Sequence, residues 1–124
     1  MHKSRLAGFI IDCKDADPVR AAEFWSAALG LDLLGADGPG YVRLDGRPHG
    51  LTIETQRVSH ESRVHLDVES DDIEAEAARL ERLGAKRIAN VKGWIVLEAP
   101  TGQRFCVVKA KQPLEGKPGT RAHP

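Results

Sequence analysis

The stretch Arg63-Val64-His65-Leu66-Asp67-Val68-Glu69 alternates polar and apolar side chains, and a helix-like segment follows it at once. Strict alternation predicts a β-strand, because successive side chains of a strand point to opposite faces of the sheet. One face of this strand would be apolar, and the other would carry Arg63, His65, Asp67 and Glu69. Such a polar face either contacts water or lines a polar cavity, and only the second arrangement makes a binding site.

The composition is that of a small globular protein with balanced charge. The chain has 124 residues, of which 41% are hydrophobic and 29% charged, so we expect one domain with a substantial core. Its 18 Lys and Arg residues balance 18 Asp and Glu residues, so no net charge attracts nucleic acid or an anionic membrane. No apolar run approaches the roughly 20 residues needed to span a bilayer. We therefore expect a cytoplasmic protein with neither nucleic acid nor a membrane among its partners.

The first half of the chain contains clear signals for one strand and one helix. Leu6–Cys13 is apolar and partly β-branched, which is typical of a strand. Asp17-Pro18 provides a capping carboxylate and a proline at the first helical position, and Gly30 is placed to end the helix. The remaining strands are predicted over 41–44, 51–56, 85–90, 94–98 and 104–109, and a second helix over 71–83.

The order of these elements occurs twice. A shift of 54 residues superposes Leu29-Gly30 on Leu83-Gly84 and the first predicted helix on the second. A period this long predicts two paired βαβββ modules, over about residues 5–57 and 62–110, because a solenoid would need at least three repeats. Residues 111–124 contain prolines, glycines and charges without periodicity, so we expect a flexible tail there.

Several short motifs occur in an order that resembles a known family. They are Phe24-Trp25 before Leu29-Gly30-Leu31, then His65-Leu66-Asp67-Val68, Leu83-Gly84-Ala85 and the segment Ala99–Cys106. Together they resemble the glyoxalase/bleomycin-resistance family of the vicinal oxygen chelate superfamily, in its small glyoxalase-like branch. The resemblance implies an α+β domain over residues 1–110. Its two tandem βαβββ modules would form a curved mixed sheet around a cleft, with the helices on the convex side, and it implies a homodimer.

The same resemblance implies an incomplete metal site. Metal-dependent members place one ligand on each of four strands, typically two His and two Glu. His65 falls on one of these positions, but the equivalent position in the first module is Ile11 and the position on the last strand is Cys106. On the remaining strand either Glu54 or Ile53 points inward. We therefore expect no metal and no other cofactor.

His65 and Asp67 are the candidate catalytic residues. His65 could serve as a metal ligand, as a general base, or as a cavity histidine held by a hydrogen bond. Asp67 lies two residues further along, on the same face, where it could orient the imidazole or receive a substrate proton. Alternatively, both side chains pair with Arg63 on a solvated face.

The other candidates would line a ligand pocket. Cys13 and Cys106 fit no zinc site, so we expect free thiols, with a disulfide between them as the alternative. The predicted ligand-binding residues are Ile11, Cys13, Tyr41, Glu54, Trp94 and Cys106.

Two functions of different class follow from these residues. The first is a protein that binds or sequesters a small organic ligand, in the manner of the antibiotic-resistance members. The second is a metal-dependent lyase, isomerase or dioxygenase that uses His65 and Glu54. The sequence leaves open whether the chain is an enzyme.

Overall fold

A computed structural model describes residues 1–124 and contains two α-helices and nine β-strands, so the predicted α+β class is confirmed. The elements in chain order are β1 (His2–Lys14), α1 (Pro18–Leu29), β2 (Leu33–Ala36), β3 (Tyr41–Leu44), a 3-10 turn (Arg47–His49), β4 (Thr52–Val58), β5 (Arg63–Ser70), α2 (Ile73–Arg82), β6 (Lys86–Val91), β7 (Trp94–Glu98), β8 (Arg104–Lys109) and β9 (Arg121–His123). Neither helix is long and apolar enough to span a membrane.

The contacts divide the chain into two compact units. The first unit is Gly8–His65, and the second unit combines Met1–Ala7 with Leu66–Pro124. Strand β1 therefore contributes its C-terminal half to the first unit and its N-terminal half to the second. The predicted modules instead assigned the whole of this strand to the first half of the chain.

The first unit is a four-stranded mixed sheet with one helix. Its strand order is β2-β3-β4-β1, in which β1 and β4 are parallel and the other neighbours are antiparallel. Helix α1 packs on one face of this sheet through Ala22, which belongs to a buried cluster with Val42, Leu44 and Ile53. The opposite face of the sheet is the one that can present polar groups.

The ends of α1 agree with the sequence signals. Asp17 Oδ1 accepts hydrogen bonds from the backbone N–H groups of Val19 at 2.9 Å and Arg20 at 3.3 Å. Gly30 has φ +68°, and its N–H donates to the carbonyl of Ser26. These bonds satisfy backbone groups that a helix leaves unpaired at its ends.

Replacing Asp17 by alanine is expected to lower the free energy of unfolding by about 1 kcal/mol, because the N-cap acceptor is lost. Urea unfolding at neutral pH measures the change. Asp37→Ala is the matched control, since Asp37 is an exposed aspartate outside any helix. Equal effects of the two substitutions would contradict the capping role.

The second unit repeats the same arrangement. Its strand order is β5-β8-β7-β6, in which β5 and β8 are parallel and the other neighbours antiparallel. Helix α2 packs on one face through Ala77, which is buried with Ile95, Leu97 and Val107. Asp72 caps this helix by accepting from the N–H of Ala75 at 3.0 Å. The two βαβββ modules predicted from the 54-residue shift are thus confirmed.

Residues 111–124 are packed within the second unit, in contrast to the predicted flexible tail. Strand β9 pairs with the start of β1, with His123 opposite His2. Leu114 is buried, and the carbonyl of Pro118 accepts a hydrogen bond from Arg5 Nε at 2.8 Å. Pairing between distant strands leaves no periodic signal in a short segment, which is why composition alone suggested disorder.

Candidate functional site

Strand β1 presents different side chains to the two faces of the first unit. Phe9 packs against the cluster under α1. Because side chains alternate along a strand, Ile11 and Cys13 share the face of Phe9, and Asp12 lies on the opposite face. Asp12 is nevertheless only 2% exposed. The strand therefore carries a buried carboxylate on the face away from the helix.

This carboxylate holds His65. Asp12 Oδ2 lies 2.8 Å from His65 Nδ1, and Arg63 Nε lies 3.8 Å from the same oxygen. An ionised carboxylate can only accept a hydrogen bond, so Nδ1 carries the proton that it donates to Asp12. In the neutral ring Nε2 then carries the lone pair that accepts a proton or binds a metal. The pair defines the ring's orientation and tautomer.

Two neighbouring strands add polar groups to the same face. The register aligns Ile10, Glu54 and Arg43 in one row, and Asp12, Gln56 and Tyr41 in the next. Residues aligned across neighbouring strands point to the same face, so all of these side chains lie opposite α1.

The register also shows that Glu54, not Ile53, points away from the helix. Ile53 is buried under α1, so Glu54 is on the face of Asp12. The predicted residue Tyr41 lies there as well, and its hydroxyl accepts a hydrogen bond from Gln56 Nε2 at 2.7 Å. Tyr41 and Glu54, two of the predicted site residues, thus share this sheet face with Asp12 and Gln56. The predicted residue His65 is bonded to Asp12.

The structure does not bring Ile11 and Cys13 to this face. Both residues line a cavity of about 490 Å³ on the side of α1, together with Phe24 and Trp25. Burial raises the pKa of the Cys13 thiol, and the negative charge of Asp12 raises it further. A raised pKa disfavours the reactive thiolate. From the sequence we expected Ile11 and Cys13 on the same face as His65. Both faces of β1 are apolar, so the alternation of side chains did not indicate which face is covered by the helix.

In the second unit the remaining predicted residues lie on the face opposite α2. Val68, Phe105 and Val107 pack towards α2, so Asp67 and Cys106 point the other way, and the two are aligned across β5 and β8. Trp94 begins β7 on that same face and is 39% exposed. Within this unit, Asp67 and Cys106 are neighbours.

Asp12 is the site residue that the sequence analysis missed. It is the only charged residue between Leu6 and Cys13, in a segment that is otherwise apolar. A charged residue inside an apolar strand is seldom buried without a partner. That signal marks Asp12 as a candidate without indicating which side chain it would meet.

Solved structures of similar fold include enzymes of different activity. A hypothetical protein from Bacillus halodurans C-125 matches with a TM-score of 0.66 and 18% identity, covering 91% of this chain and 99% of its own. Methylmalonyl-CoA epimerase from Mycobacterium tuberculosis matches with a TM-score of 0.65 and 16% identity, covering 87% and 89%. An extradiol ring-cleaving dioxygenase from B. fuscum matches with a TM-score of 0.58 and 16% identity, covering 87% of this chain and 33% of its own. At these identities the likeness establishes the fold alone.

Comparison with family models gives a more specific result. No curated protein matches the chain significantly. The model of the glyoxalase-like domain, in contrast, matches residues 8–108, which is most of the sequence. This range includes both helices, strands β2 to β7 and all but the last residue of β8, and it contains Asp12, Glu54 and His65. The chain therefore belongs to the glyoxalase-like domain family of the vicinal oxygen chelate superfamily.

Proposed function

We propose that the chain binds a small organic molecule on the sheet face that carries Asp12 and His65. The observation that supports this proposal is the buried carboxylate that holds the imidazole at 2.8 Å. The second oxygen of Asp12, Oδ1, is buried without a hydrogen-bond partner. A buried acceptor left unpaired destabilises the fold. The pair is therefore better explained by a role in binding than by a contribution to stability.

The neighbouring side chains indicate the chemistry of the ligand. An imidazole such as that of His65 can exchange a hydrogen bond or a proton with an oxygen of a ligand. Tyr41 adds an aromatic surface, and Arg43 places a positive charge in the next row. A small hydroxy acid, aromatic or aliphatic, would satisfy these groups together, because its hydroxyl can donate to Asp12 Oδ1 and its carboxylate can pair with Arg43. Pockets of this kind combine apolar walls with a few convergent polar groups.

The residues of the first unit do not supply the four-ligand metal centre that metal-dependent members use. Ile11 has no ligand atom and faces α1, and Asp12 lies on the other face, where its Oδ2 is bonded to His65 Nδ1. Of the four ligand positions that the family uses, His65 and Glu54 are the two that carry a suitable side chain in this unit. Two ligands do not make a dedicated site for a divalent metal. The binding proposal therefore includes no metal.

A metal-dependent lyase, isomerase or dioxygenase using His65 and Glu54 is the second candidate. One observation favours it, because a carboxylate on the second ring nitrogen is the usual outer partner of a metal-binding histidine. The epimerase and the dioxygenase with similar folds make these reaction classes natural ones to assay. The homodimer and the cytoplasmic location stay predictions.

The ligand proposal is tested by thermal melting with 3-hydroxybenzoate, mandelate and lactate as probes, in the absence of metal. We expect at least one probe to raise the melting temperature of the wild type. A ligand bound only to the folded state at a hundredfold excess over Kd stabilises it by about 2.7 kcal/mol. The shift should disappear in His65→Gln, which keeps a donor for Asp12 and removes the imidazole. His49→Ala, in the exposed 3-10 turn, is the control and should keep the shift.

Two outcomes would contradict the proposal. A shift that survives in His65→Gln would place the ligand elsewhere. A shift that appears only after Zn²⁺, Mn²⁺ or Fe²⁺ is added, and that disappears in both His65→Gln and Glu54→Gln, would support the metal-dependent enzyme instead.

A further inference from the structure

The second unit contains a separate cluster of metal-binding side chains. It consists of His2, Glu76 and His123, and the ligand atoms of these three residues all lie within 4.8 Å of one another. His2 Nε2 is 2.8 Å from Glu76 Oε1. Glu76 is completely buried and His2 is 6% exposed, so the cluster is not a chance group of surface side chains. No residue of the first unit takes part in it.

Three elements bring these ligands together. His2 and His123 are opposite each other on the paired strands β1 and β9, with ring centroids 5.0 Å apart. Glu76 lies on α2, one turn after Ile73 and next to Ala77, so it belongs to the stripe that the helix turns inward. The strand pair and the helix hold the three groups before any ion is bound.

Other side chains orient the ligands from outside the cluster. Arg79 donates from Nε to Glu76 Oε1 at 2.8 Å and from Nη2 to Oε2 at 2.7 Å. Ser4 Oγ lies 2.8 Å from His123 Nε2. Both carboxylate oxygens of Glu76 are therefore held in place by hydrogen bonds, Oε1 by His2 and Arg79 and Oε2 by Arg79. Oriented carboxylates and imidazoles of this kind are typical of metal sites.

A groove borders the cluster at His2. It has a volume of about 350 Å³, and its lining includes His2, Asp71 and Asp72. The two aspartates accept hydrogen bonds from backbone N–H groups, of Lys3 and Ala75 respectively. Together with Glu76, the two aspartates place three carboxylates close to the cluster, and the guanidinium of Arg79 pairs with the carboxylate of Glu76.

We propose that His2, Glu76 and His123 bind one divalent transition-metal ion of the zinc class. Two imidazoles and one carboxylate are ligands that Zn²⁺ and Co²⁺ accept, whereas Mg²⁺ and Ca²⁺ prefer oxygen ligands. To coordinate through Nε2, the neutral His2 ring would carry its single proton on Nδ1, and the metal would replace the hydrogen bond between Nε2 and Glu76 Oε1. Three protein ligands leave a fourth position that a water from the groove can occupy.

Titration of the untagged, chelator-treated protein with Co²⁺ tests this site, because bound Co²⁺ gives visible ligand-field absorption. We expect one Co²⁺ per chain, displaced by one equivalent of Zn²⁺. In His2→Ala and His123→Ala the affinity should fall by more than the roughly 10- to 100-fold that loss of an outer partner causes. His123→Asp keeps a ligand atom and should restore part of the binding. A merely structural role for His123 would not show this rescue.

The controls separate this site from the proposed ligand site. His49→Ala and His65→Gln should bind Co²⁺ as the wild type does, and circular dichroism of the metal-free variants checks that each is folded. The proposal is overturned if the wild type binds no Co²⁺ or if His123→Ala binds it undiminished. Loss of Co²⁺ binding in His65→Gln alone would also overturn it, and would instead support the metal-dependent enzyme. Neither result depends on whether an organic ligand binds near His65.

Discussion

Replacing Glu76 by glutamine is expected to lower the free energy of unfolding by about 3 kcal/mol. The carboxylate is completely buried and accepts three hydrogen bonds, two from Arg79 and one from His2. Removing one partner of a buried pair destabilises a protein by roughly 3–5 kcal/mol, because the other charge is left uncompensated. Arg79 is partly exposed and can recover some hydration, so the lower end of this range applies.

Urea unfolding at neutral pH, with a chelator present, measures this loss. The matched control is Glu74→Gln on the same helix. Glu74 pairs with Arg87 at 2.7 Å, but its side chain is largely exposed, and exposed ion pairs contribute about 0–1 kcal/mol. If the two variants lose equal stability, Glu76 does not have the role that its burial indicates.

The same carboxylate makes the stability depend on pH. Its folded-state pKa of about 2 lies below the ordinary value of 4.5, so protonation favours the unfolded chain. The contribution of Glu76 is therefore complete above about pH 5 and decreases as the pH falls from 4.5 towards 2. In chelator-containing buffer, Glu76→Gln should lose less stability than the wild type over this window. A constant difference between the two proteins would contradict the lowered pKa.

Replacing Gly8 by alanine is expected to prevent stable folding or to cost more than about 3 kcal/mol. Gly8 is aligned with Thr52 in the parallel pair of β1 and β4. A Cβ atom at Gly8 would overlap the carbonyl oxygen of Thr52 and lie 2.7 Å from its carbonyl carbon and 2.8 Å from its nitrogen. Backbone atoms in a paired strand cannot move aside as a flexible side chain can. Overpacking of this severity belongs to the largest single-residue effects.

Gly30→Ala is the control for this prediction. Gly30 has φ +68° and nothing within 4 Å of an added Cβ atom, so its substitution costs only the left-handed conformation, roughly 1–2 kcal/mol. Soluble yield and urea unfolding of the two variants measure the difference. A milder effect of Gly8→Ala than of Gly30→Ala would mean that β1 and β4 do not approach as closely as the structure shows.

Local signals in the sequence predicted both helices and seven of the nine strands, whereas β2 and β9 were not predicted. Asp17, Pro18 and Gly30 mark the first helix within one residue of its ends, and β3, β7 and β8 have the bounds that were predicted. These features depend on hydrogen bonds and periodicities that span a few residues. The 54-residue repeat predicted that the chain contains two modules, because the same order of elements occurs in each.

The sequence did not determine which face of each strand is buried. In β1 both faces are apolar enough to be buried, so alternation alone did not reveal that Asp12, rather than Ile11, lies beside His65. In β5 the apolar side chains Val64 and Leu66 are 56% and 52% exposed, whereas the polar face is more buried. A polar side chain becomes buried when partners on other strands satisfy it, and a strand's own sequence does not contain those partners.

By itself, the sequence determined the order of the two βαβββ modules and the ends of the first helix, and it predicted His65 and Glu54 as candidate site residues. The tertiary structure alone decided that Asp12 meets His65 and that Glu76 meets His2. It also placed His123, which the sequence assigned to a flexible tail, opposite His2 on a paired strand. The physical reason is distance along the chain. Helix caps and strand periods are set by neighbours a few residues apart, whereas these contacts join segments separated by 53 to 121 residues and form only once the strands have paired.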